Sequence, residues 1–315
     1  MKFTALAGGV GGAKLANGLT KLVPPEDLGI IVNTGDDFEY LGFYICPDLD
    51  TVMYNLAGIN NPDTGYGLKG DSFNVITGLE RLGHEIWFRI GDTDIANQIQ
   101  RTSLLNSGVL LNDIVEDTSR KLGIKHQIIP MCNEPVRTLV VTDEDLTLSF
   151  QEYFVKYRFQ PVVKRILFKG SDESKLPERA KKHLASSQIV IICPSNPYVS
   201  IDPILSVPGV LEQLKRKTVV AVSPLIGGKT IKGPAAKIMA ELGIEVNSTS
   251  IARHYHQLID GIVIDTKDQQ ESEQISHCGI IPYATDILMP DVQSQEQLAG
   301  KVIDFCMRLH KETAG

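Results

Sequence analysis

The 315-residue sequence lacks the features of a membrane protein or a secreted protein. No stretch approaches the roughly 18 apolar residues that a membrane-spanning helix needs. The opening residues have no basic region and reach glycine by Gly8, so we expect no signal peptide. The five cysteines are odd in number, scattered and never spaced as C-x-x-C, which argues against a disulfide framework and a zinc knuckle. These absences favour a cytoplasmic protein.

The sequence also lacks an excess of positive charge. Lysine and arginine number 31 against 38 acidic residues, so the formal net charge is −7. A broad surface for nucleic acid or for an anionic membrane carries a basic excess, so we expect neither partner, although a local basic pocket is compatible with these numbers. A chain of this length with 43% hydrophobic residues can bury one large α/β core or two smaller ones. The composition is typical of a globular enzyme.

Short apolar runs alternate with helical patterns along most of the chain. Residues 3–7 and 28–32 have the pattern of buried strands, and a helix from about residue 13 to residue 22 is expected between them. This alternation predicts an α/β fold, a Rossmann-like and mostly parallel sheet with helices on both faces. Ligands of such sheets bind at the carboxyl ends of the strands. Further strands are expected at residues 86–90, 127–129, 189–193, 218–222 and 261–264.

One region interrupts this alternation. Residues 137–142 and 146–150 flank an acidic turn and predict an antiparallel hairpin. The residues that follow, 151–184, are more charged and more aromatic, and they fit either a lid or a helical cover packed on the sheet. We therefore divide the chain into the first part of the α/β core, a smaller inserted α+β subdomain and the second part of the core, at residues 1–136, 137–187 and 188–315.

A glycine-rich segment joins the first strand to the first helix. Glycines let backbone N–H groups approach an anion closely, and the start of a helix adds favourable partial charge, so the segment predicts phosphate binding, with a tight turn as the alternative. It does not match the dinucleotide fingerprint G-x-G-x-x-G, because Lys14 stands where the third glycine belongs. A lysine here suits a di- or triphosphate better, and the alternative is a solvated side chain. The predicted phosphate-binding residues are Gly8, Gly9, Gly11, Gly12 and Lys14.

Two pairs of acidic residues follow the second strand. Asp36 and Asp37 fit three roles equally, which are holding a ribose, holding a hydrated magnesium ion and capping a turn. Asp48 and Asp50 lie two residues apart before an apolar segment, where Thr51 is an alternative helix cap. Paired carboxylates near a phosphate loop can bind Mg²⁺ or accept a proton from an attacking hydroxyl. We expect this second pair to be functional.

Charged residues also follow the strand expected at residues 86–90. Arg89 is a candidate clamp for an anion or a substrate, whereas Asp92 and Asp94 fit helix caps. The single tryptophan, Trp87, lies inside this expected strand and is predicted to be part of the core.

Two later strands end in loops that can contact a ligand. Ser195 and Asn196 stand between two prolines, which would hold their side chains rigidly. The other loop runs from Ser223 to Gly227 and continues into a glycine-lysine-threonine sequence that imitates the end of a Walker A loop. Ser223 stands where that motif needs glycine, and the next helix is expected to begin late, near residues 233–234, so we exclude an NTPase P-loop. A second loop contacting a phosphate or a base remains compatible.

Several other chemistry-bearing side chains are interpreted as structural. His254 and His256 lie two residues apart, which does not suit one helix face, and no third metal ligand is evident near them. Cys46 and Cys193 carry no catalytic signature and are expected to be semi-buried fillers.

Taken together, the motifs resemble the 2-phospho-L-lactate transferase family from Phe3 to about Leu288. Each motif alone is weak, but six of them occur in the family's order and spacing. They are residues 8–14, 32–37, 46–51, 91–94, 194–197 and 220–227.

The resemblance implies a phosphoryl transfer in the biosynthesis of coenzyme F-420. The donor in this family is a guanosine diphosphate that carries lactate on its distal phosphate, the terminal ribityl hydroxyl of the deazaflavin Fo attacks that phosphorus, and GMP leaves. Family members use Mg²⁺ and are commonly homodimers. The deazaflavin contacts fall on Asp50 and Arg89, and the glycine loop and the Ser195–Asn196 loop match the nucleotide-phosphate side. Whether the transferred acid is phospholactate, phosphoenolpyruvate or phosphoglycerate stays open.

Two departures from the family's pattern affect anion contacts. Val10 and Gly12 stand where many members carry hydroxyl residues, so phosphate contacts from this loop would come from the backbone or from Lys14. Thr93 stands where a basic residue is common.

The residues present suit the chemistry that the resemblance implies. Phosphoryl transfer needs alignment and charge neutralisation more than covalent catalysis. We expect Asp50 to orient or deprotonate the attacking hydroxyl, and Asp48, Asp37 or Asp50 itself to hold Mg²⁺. The alternatives are a nucleotide-binding regulatory protein of the gluconeogenesis-factor type and an NAD-dependent dehydrogenase.

Overall fold

The computed structural model describes residues 1–231 and 233–314, and a parallel seven-stranded sheet forms its centre. The strands of the structure are β1 (Phe3–Ala7), β2 (Leu28–Val32), β3 (Phe38–Tyr40), β4 (Phe43–Ile45), β5 (Gln127–Pro130), β6 (Arg137–Thr142), β7 (Thr147–Ser149), β8 (Val163–Lys169), β9 (Ile189–Ile192), β10 (Thr218–Val222), β11 (Leu225–Ile226), β12 (Lys229–Thr230), β13 (Gly261–Asp265) and β14 (Ile281–Thr285).

Helices connect these strands. They are α1 (Gly9–Leu22), α2 (Pro47–Ala57), α3 (Asn74–Arg81), α4 (Asp92–Asn106), α5 (Leu111–Lys121), α6 (Glu178–Ser186), α7 (Asp202–Ser206), α8 (Val210–Leu214), α9 (Ala235–Glu241), α10 (Ser248–His254), α11 (Ser272–His277) and α12 (Val292–Ala314). None of the helices in the described part of the chain combines the length and the apolar character that crossing a bilayer requires.

The order of the strands places a crevice beside β1. The sheet runs β14-β13-β10-β9-β1-β2-β5, and every neighbouring pair in it is parallel. The chain moves from β1 through β2 toward one edge, and later from β9 through β10 toward the other edge. Because the two directions diverge between β1 and β9, the loops after these strands enclose the crevice in which open α/β sheets bind ligands.

Both faces of the sheet are covered, as the sequence predicted. Strands β1, β2, β9, β10 and β13 are buried along their whole length, which explains their nearly continuous apolar sequences. Successive side chains point to opposite faces, so Leu6 and Ile31 join the core beneath α6 and α8 to α11, whereas Ala5 and Ile30 join the core beneath α1, α2, α5 and α12.

The predicted antiparallel hairpin is present and is larger than expected. Strands β6 and β7 pair in antiparallel fashion, and β8 adds a third strand on the other side of β6. A π-helical turn at Glu152–Lys156 follows β7, and its Tyr153 joins the core of the main sheet. This small α+β unit is inserted between β5 and β9, while the proposed domain boundaries stay predictions.

Several local predictions were wrong, and one strand was missed. Residues 86–90 form no strand, and Trp87 is half-buried in a satellite cluster, with its ring 4.9 Å from that of Tyr40 in the β3–β4 hairpin. Helix α1 begins at Gly9 rather than at residue 13, and α2 begins at Pro47, so Thr51 lies inside α2 and does not cap it. Strand β14 was missed because it lies at the sheet edge, contains a proline and is only partly buried.

Candidate active site

The loops after β1 and β9 pack directly on each other at the crevice. The Gly8 N–H donates to Ser195 Oγ at 3.0 Å, and the Ser195 hydroxyl donates to the Gly8 carbonyl at 2.7 Å. A Cβ added at Gly11 would overlap the Pro194 carbonyl oxygen, and one added at Gly12 would overlap Ser195 Oγ. These glycines therefore allow two backbones to approach closely, which is a reason for glycine in addition to phosphate binding.

Asp48 joins this crevice to helix α2. It lies in the first turn of α2, where its Oδ1 accepts the Gly9 N–H at 2.8 Å and its Oδ2 accepts Asn33 Nδ2 at 2.9 Å. Gly9 has φ +61, a backbone conformation that favours glycine. A carboxylate at the start of α1 also interacts favourably with the helix dipole. In this conformation the anion at the start of α1 is the protein's own Asp48, and phosphate binding by the glycine segment stays a prediction.

Three buried carboxylates lie at this end of the sheet. Burial raises the pKa of Asp36 well above its usual range, and the negative charge of Asp48 raises it further. Burial also raises the pKa of Asp37 to about 7, against the opposing effect of the Arg137 guanidinium, and the pKa of Asp48 to about 6. Because each buried negative charge is unfavourable, this group of residues can accept a cation or protons.

Two oxygens in this group fit the predicted magnesium ion. Asp36 Oδ1 and Asp37 Oδ1 are buried and have no hydrogen-bond partner in the structure. An oxygen of this kind is costly to bury unless a cation or a proton compensates it, and carboxylate oxygens are the ligands that Mg²⁺ prefers. Within the described ranges, no three acidic, cysteine or histidine side chains are arranged as a complete metal site. A bound magnesium ion would therefore take part of its coordination from water or from substrate oxygens.

Asp50 lies in the first turn of α2, as Asp48 does, and an arginine that sequence reasoning missed holds it in place. Arg101 in α4 is 1% exposed, and both of its terminal nitrogens bond to the Asp50 carboxylate, Nη1 at 3.1 Å from Oδ2 and Nη2 to Oδ1. Asn97 Nδ2 donates to Oδ1 at 2.9 Å, and Gln98 Nε2 donates to Oδ2 at 3.0 Å. Four donors thus surround the two carboxylate oxygens, which have about four lone-pair sites in all.

The second acid of the G-D-x-D motif belongs to the same network. Tyr54 donates its hydroxyl hydrogen to Asp94 Oδ1 at 2.6 Å, and Asn97 Nδ2 lies 2.9 Å from the Tyr54 oxygen. Burial, together with the nearby Asp50 charge, raises the pKa of Asp94 to about 6. Polar residues at 94, 98 and 101 recur with helical spacing on the buried side of α4, and this was the sequence signal that could have indicated the network.

The first acid of that motif has a structural role. Asp92 accepts hydrogen bonds from the Ser72 hydroxyl and from the backbone N–H groups of Asn74 and Val75. These bonds, the Ser72 bond foremost, lower the pKa of Asp92 to about 2. They fix the start of α3 against the start of α4.

Arg89 lies apart from Asp50 on the surface. Its side chain is 56% exposed, its Nη1 is 3.7 Å from Glu80 Oε1, and its guanidinium stacks over the Phe73 ring at 5.1 Å from the ring centre. The structure therefore does not bring Arg89 and Asp50 into contact, and a ligand that touches both must bridge them.

The other residues that we predicted to bind phosphate, Lys14 and Asn196, differ in their hydrogen-bond partners. Lys14 Nζ donates to the Met289 carbonyl at 2.7 Å, which directs this side chain toward the loop between β14 and α12. Asn196 Oδ1 accepts the Tyr198 N–H at 3.0 Å, whereas its buried Nδ2 has no hydrogen-bond partner in the described chain. The Asn196 amide is thus a donor that a ligand can use.

The loop after β10 has the shape of a hairpin rather than of a P-loop. Ser223 Oγ lies 3.0 Å from Ser248 Oγ and accepts the Leu225 N–H, and the Gly227 N–H donates to Asp268 Oδ2 at 3.1 Å. Strands β11 and β12 pair here in antiparallel fashion, and α9 follows only at Ala235, which confirms the exclusion of a Walker A loop. Ser223 and Gly227 hold this hairpin in place, and any contact of theirs with a phosphate stays a prediction.

Two of the side chains that we interpreted as structural, His254 and Cys46, have protein partners. His254 Nε2 bonds to Asp202 Oδ1 at 2.8 Å, and its ring packs against Tyr198. Cys193 and Cys46 are fully rather than partly buried, and the Cys46 thiol donates to Asp37 Oδ2 at 3.1 Å.

Known proteins are similar to this sequence over nearly its whole length. The family described as 2-phospho-L-lactate transferase CofD matches residues 3–303. A 2-phospho-L-lactate transferase of Methanopyrus kandleri is 39% identical over 307 residues, which cover 96% of this chain and 97% of that protein. One of Methanocaldococcus jannaschii is 38% identical over 306 residues, with 96% and 97% coverage. A phosphoenolpyruvate transferase of Streptomyces griseus subsp. griseus is 35% identical over 312 residues, with 97% and 98% coverage.

Solved structures share the fold. A UPF0052 family member from Bacillus halodurans superposes with a TM-score of 0.60 at 14% identity, covering 96% of this chain and 98% of that one. A second structure of a protein from the same organism gives a TM-score of 0.61 at the same identity. At this identity the likeness concerns the fold alone, and it agrees with the predicted α/β architecture. From the match over residues 3–303 and the similarity of full-length relatives, the chain is a transferase enzyme that belongs to the 2-phospho-L-lactate transferase family.

Proposed function

We propose that this enzyme transfers a 2-phospholactyl or phosphoenolpyruvyl group from a guanosine-diphosphate-linked donor to the ribityl hydroxyl of the deazaflavin Fo. The observation that carries the proposal is the crevice between β1 and β9, where Asp48, the buried Asp50 and the unpartnered Asn196 amide line one end of the sheet. Relatives named for phospholactate and for phosphoenolpyruvate are both similar to the chain, so either acid is compatible.

The proposed step exchanges one bond to phosphorus for another. The ribityl oxygen forms a bond to the distal phosphorus of the donor, and the bond from that phosphorus to the bridging oxygen breaks. GMP leaves with the bridging oxygen, the hydroxyl proton passes to an acceptor, and the product is the phosphodiester coenzyme F-420-0. Such a transfer depends mainly on alignment and on neutralising charge.

We assign Asp50 the role of orienting the attacking hydroxyl. Because four donors surround its carboxylate, a substrate hydroxyl must displace one of them. The amides of Asn97 and Gln98 each have a second acceptor at 2.9 Å, the Tyr54 oxygen and Asp94 Oδ1, and Asn97 is the less buried of the two, so it is the donor that can leave at least cost. Arg101 would then keep Asp50 fixed while the hydroxyl takes the place of the Asn97 amide. The exposed guanidinium of Arg89 is assigned to the deazaflavin.

Mg²⁺ is the proposed cofactor, with Asp37 and Asp36, which each keep a buried oxygen without a partner, as its protein ligands. Both oxygens of Asp48 and both oxygens of Asp50 already accept hydrogen bonds from nitrogen donors, so these two acids fit the ion less well than the sequence suggested. When bound, the ion would neutralise negative charge on the diphosphate. A homodimer in the cytoplasm, acting on small molecules alone, remains part of the proposal.

The direct test mixes the protein with Fo, Mg²⁺ and one donor at a time. The donors carry phospholactate, phosphoenolpyruvate or phosphoglycerate on guanosine diphosphate, and mass spectrometry follows GMP and the phosphodiester. We expect product from at least one donor and a large loss of turnover in Asp50→Asn. Asp304→Asn, which changes an exposed carboxylate on α12, is the matched control and should leave turnover unchanged. Tight GDP binding without Fo binding or product would contradict the proposal and favour a nucleotide-binding regulator.

A further inference from the structure

The place assigned to the attacking hydroxyl has a second neighbour besides Asp50. In the structure the amide nitrogen of Asn97 occupies this place, 2.9 Å from Asp50 Oδ1 and 2.9 Å from the Tyr54 oxygen. A hydroxyl that takes the place of the Asn97 amide would therefore lie within hydrogen-bond distance of both oxygens. A hydroxyl has a single hydrogen to donate, so the oxygen that receives it decides where the proton goes.

Asp50 is poorly suited to keep this proton. Its carboxylate is bonded to both terminal nitrogens of Arg101, and Gln98 Nε2 donates to its Oδ2 at 3.0 Å. An opposite charge in contact favours the ionised form, and a protonated Asp50 would leave the buried Arg101 guanidinium without its counter-charge. Asp50 can thus orient the hydroxyl through a hydrogen bond, but the proton needs another acceptor.

The Tyr54 hydroxyl connects this place to a second carboxylate. Tyr54 donates its hydrogen to Asp94 Oδ1 at 2.6 Å, while its oxygen accepts the Asn97 amide. The hydrogen bonds therefore already point in one direction, from the place of the substrate hydroxyl through Tyr54 to Asp94. Gln98 Nε2, at 2.9 Å from Asp94 Oδ1, helps to hold this carboxylate in position.

Asp94 has the properties of a proton acceptor. The two side chains that donate to its Oδ1 are neutral, a tyrosine hydroxyl and a glutamine amide. The charged groups around it are Asp50 on α2, Arg101 on α4 and Asp71, whose Oδ2 accepts the Asp94 N–H at 3.0 Å. Burial, together with the Asp50 charge, raises the pKa of Asp94 to about 6, so the side chain is mostly ionised at neutral pH and holds a proton more readily than an ordinary carboxylate. It is also partly exposed, so it can release the proton to water.

We infer that Tyr54 and Asp94 form a relay that takes the proton of the attacking ribityl hydroxyl. This inference rests on the proposed function. As the ribityl oxygen bonds to phosphorus, its hydrogen passes to the Tyr54 oxygen, and the original Tyr54 hydrogen passes to Asp94 Oδ1. The electron pair of the broken O–H bond stays on the ribityl oxygen, and the pair of the broken phosphorus–oxygen bond leaves with GMP. Asp94 then releases its proton to water, which restores the starting state.

The two hydrogens of this relay move together. Burial raises the pKa of Tyr54 well above its usual value, and the negative charges of Asp50 and Asp94 raise it further. A tyrosinate would thus be a buried anion beside two carboxylates, so Tyr54 must gain one hydrogen as it loses the other. A relay of this kind has two hydrogens in motion in one step, which an isotope measurement detects.

Two conservative variants test the relay in single-turnover transfer to Fo. Tyr54→Phe removes the hydroxyl and keeps the ring. Asp94→Asn keeps an oxygen that accepts the Tyr54 hydrogen bond but cannot hold the proton. We expect each variant to transfer about a hundredfold or more slowly than the wild type, which is the usual contribution of proton transfer, with Fo bound as tightly in a fluorescence titration. Tyr153→Phe, which removes a buried hydroxyl 3.5 Å from Lys237 Nζ, is the matched control and should keep the wild-type rate.

The wild-type enzyme gives a second test that depends on no variant. In mixtures of H₂O and D₂O, we expect its single-turnover rate to follow a curve below the straight line between the pure solvents, because two hydrogens move in the step. In Tyr54→Phe the residual rate should follow a straight line. Thermal melts would establish that the variants are folded.

Three results would overturn the relay. They are a linear solvent dependence in the wild type, a loss of less than about tenfold in either variant, and a loss that weaker Fo binding accounts for in full, which indicates a structural role. In each of these cases, transfer to Fo by the wild type leaves the proposed function standing. A wild-type enzyme that gives no product with any donor would overturn the relay and the proposed function together.

Discussion

Replacing Arg101 by methionine leaves the buried Asp50 carboxylate without the guanidinium that neutralises it. Methionine keeps an unbranched side chain of similar reach, so the substitution removes mainly the charge and its hydrogen bonds. Asp50 would retain the amides of Asn97 and Gln98, and Gln98 Oε1 would lose its own donor, Arg101 Nη1 at 2.7 Å. Breaking a buried pair by removing one partner costs about 3–5 kcal/mol, because an uncompensated charge stays away from water.

That loss is large compared with the total stability of a typical protein, which is about 5–15 kcal/mol. Urea unfolding followed by circular dichroism should show the free energy of unfolding of Arg101→Met lowered by about 3–5 kcal/mol. Adding Asp50→Asn should restore part of it, since the second change removes the charge left alone, and the two effects should not be additive. Arg120→Ala breaks an exposed ion pair with Asp117 and is the control, for which we expect little or no change.

Two results would refute this reasoning. One is a loss smaller than about 1 kcal/mol in Arg101→Met, which is no more than a typical substitution causes. The other is a double variant that is no more stable than Arg101→Met alone. In the transfer assay, Arg101→Lys should keep more turnover than Arg101→Met, because lysine retains the charge but cannot bond both carboxylate oxygens in the same geometry.

Three further predictions test the crevice, the pH dependence and the metal. Gly12→Ala should lower the free energy of unfolding by about 1–3 kcal/mol, because the new Cβ overlaps Ser195 Oγ. Gly78→Ala in α3 is the control, because an added Cβ there meets nothing within 4 Å, and its free energy of unfolding should rise by up to about 1 kcal/mol in the same urea assay. Burial lowers the pKa of His183 below its usual 6.5, so the unfolded chain binds a proton on this side chain more tightly than the folded chain does. The contribution of neutral His183 to the free energy of unfolding is therefore present above pH 6.5 and is lost as the pH falls below 6.5. In thermal melts across this range, the melting temperature of His183→Gln should therefore fall less with decreasing pH than that of the wild type. An unchanged pH profile would contradict this role of His183. Magnesium should raise the melting temperature of the wild type more than that of Asp37→Asn, whose carboxylate has an unpartnered buried oxygen; equal shifts would remove Asp37 from the proposed metal site.

The class of fold could be predicted because its signals are local. The apolar runs of β1, β2, β9, β10 and β13 are short and buried on both faces, so each one indicates its strand without knowledge of its neighbours. Their alternation with helices then predicts a parallel sheet, and a parallel sheet places its ligands at the carboxyl ends of the strands. The loops carrying Gly8 and Ser195 were identified in this way, and the structure brings them into contact.

The side-chain partners within the site were beyond this reasoning. Asp50 and Arg101 are 51 residues apart, and their ion pair depends on how α4 packs against α2, which no local pattern specifies. The early start of α1 has a similar cause, because the acceptor for the Gly9 N–H is Asp48, which comes from another helix. The edge strand β14 was missed for a different reason, since its proline and partial burial hid its pattern.

By itself, the sequence determined the α/β class and the family to which the enzyme belongs, and it predicted that the candidate site lies at the carboxyl ends of the strands. Periodicity and motif order are properties of the chain taken a few residues at a time, so they can be recognised before folding is considered. Only the tertiary structure decided which carboxylate is held by an arginine and which ones keep unpartnered oxygens. The physical reason is that burial and charge pairing arise when distant segments pack together, and these set the chemistry of each acid.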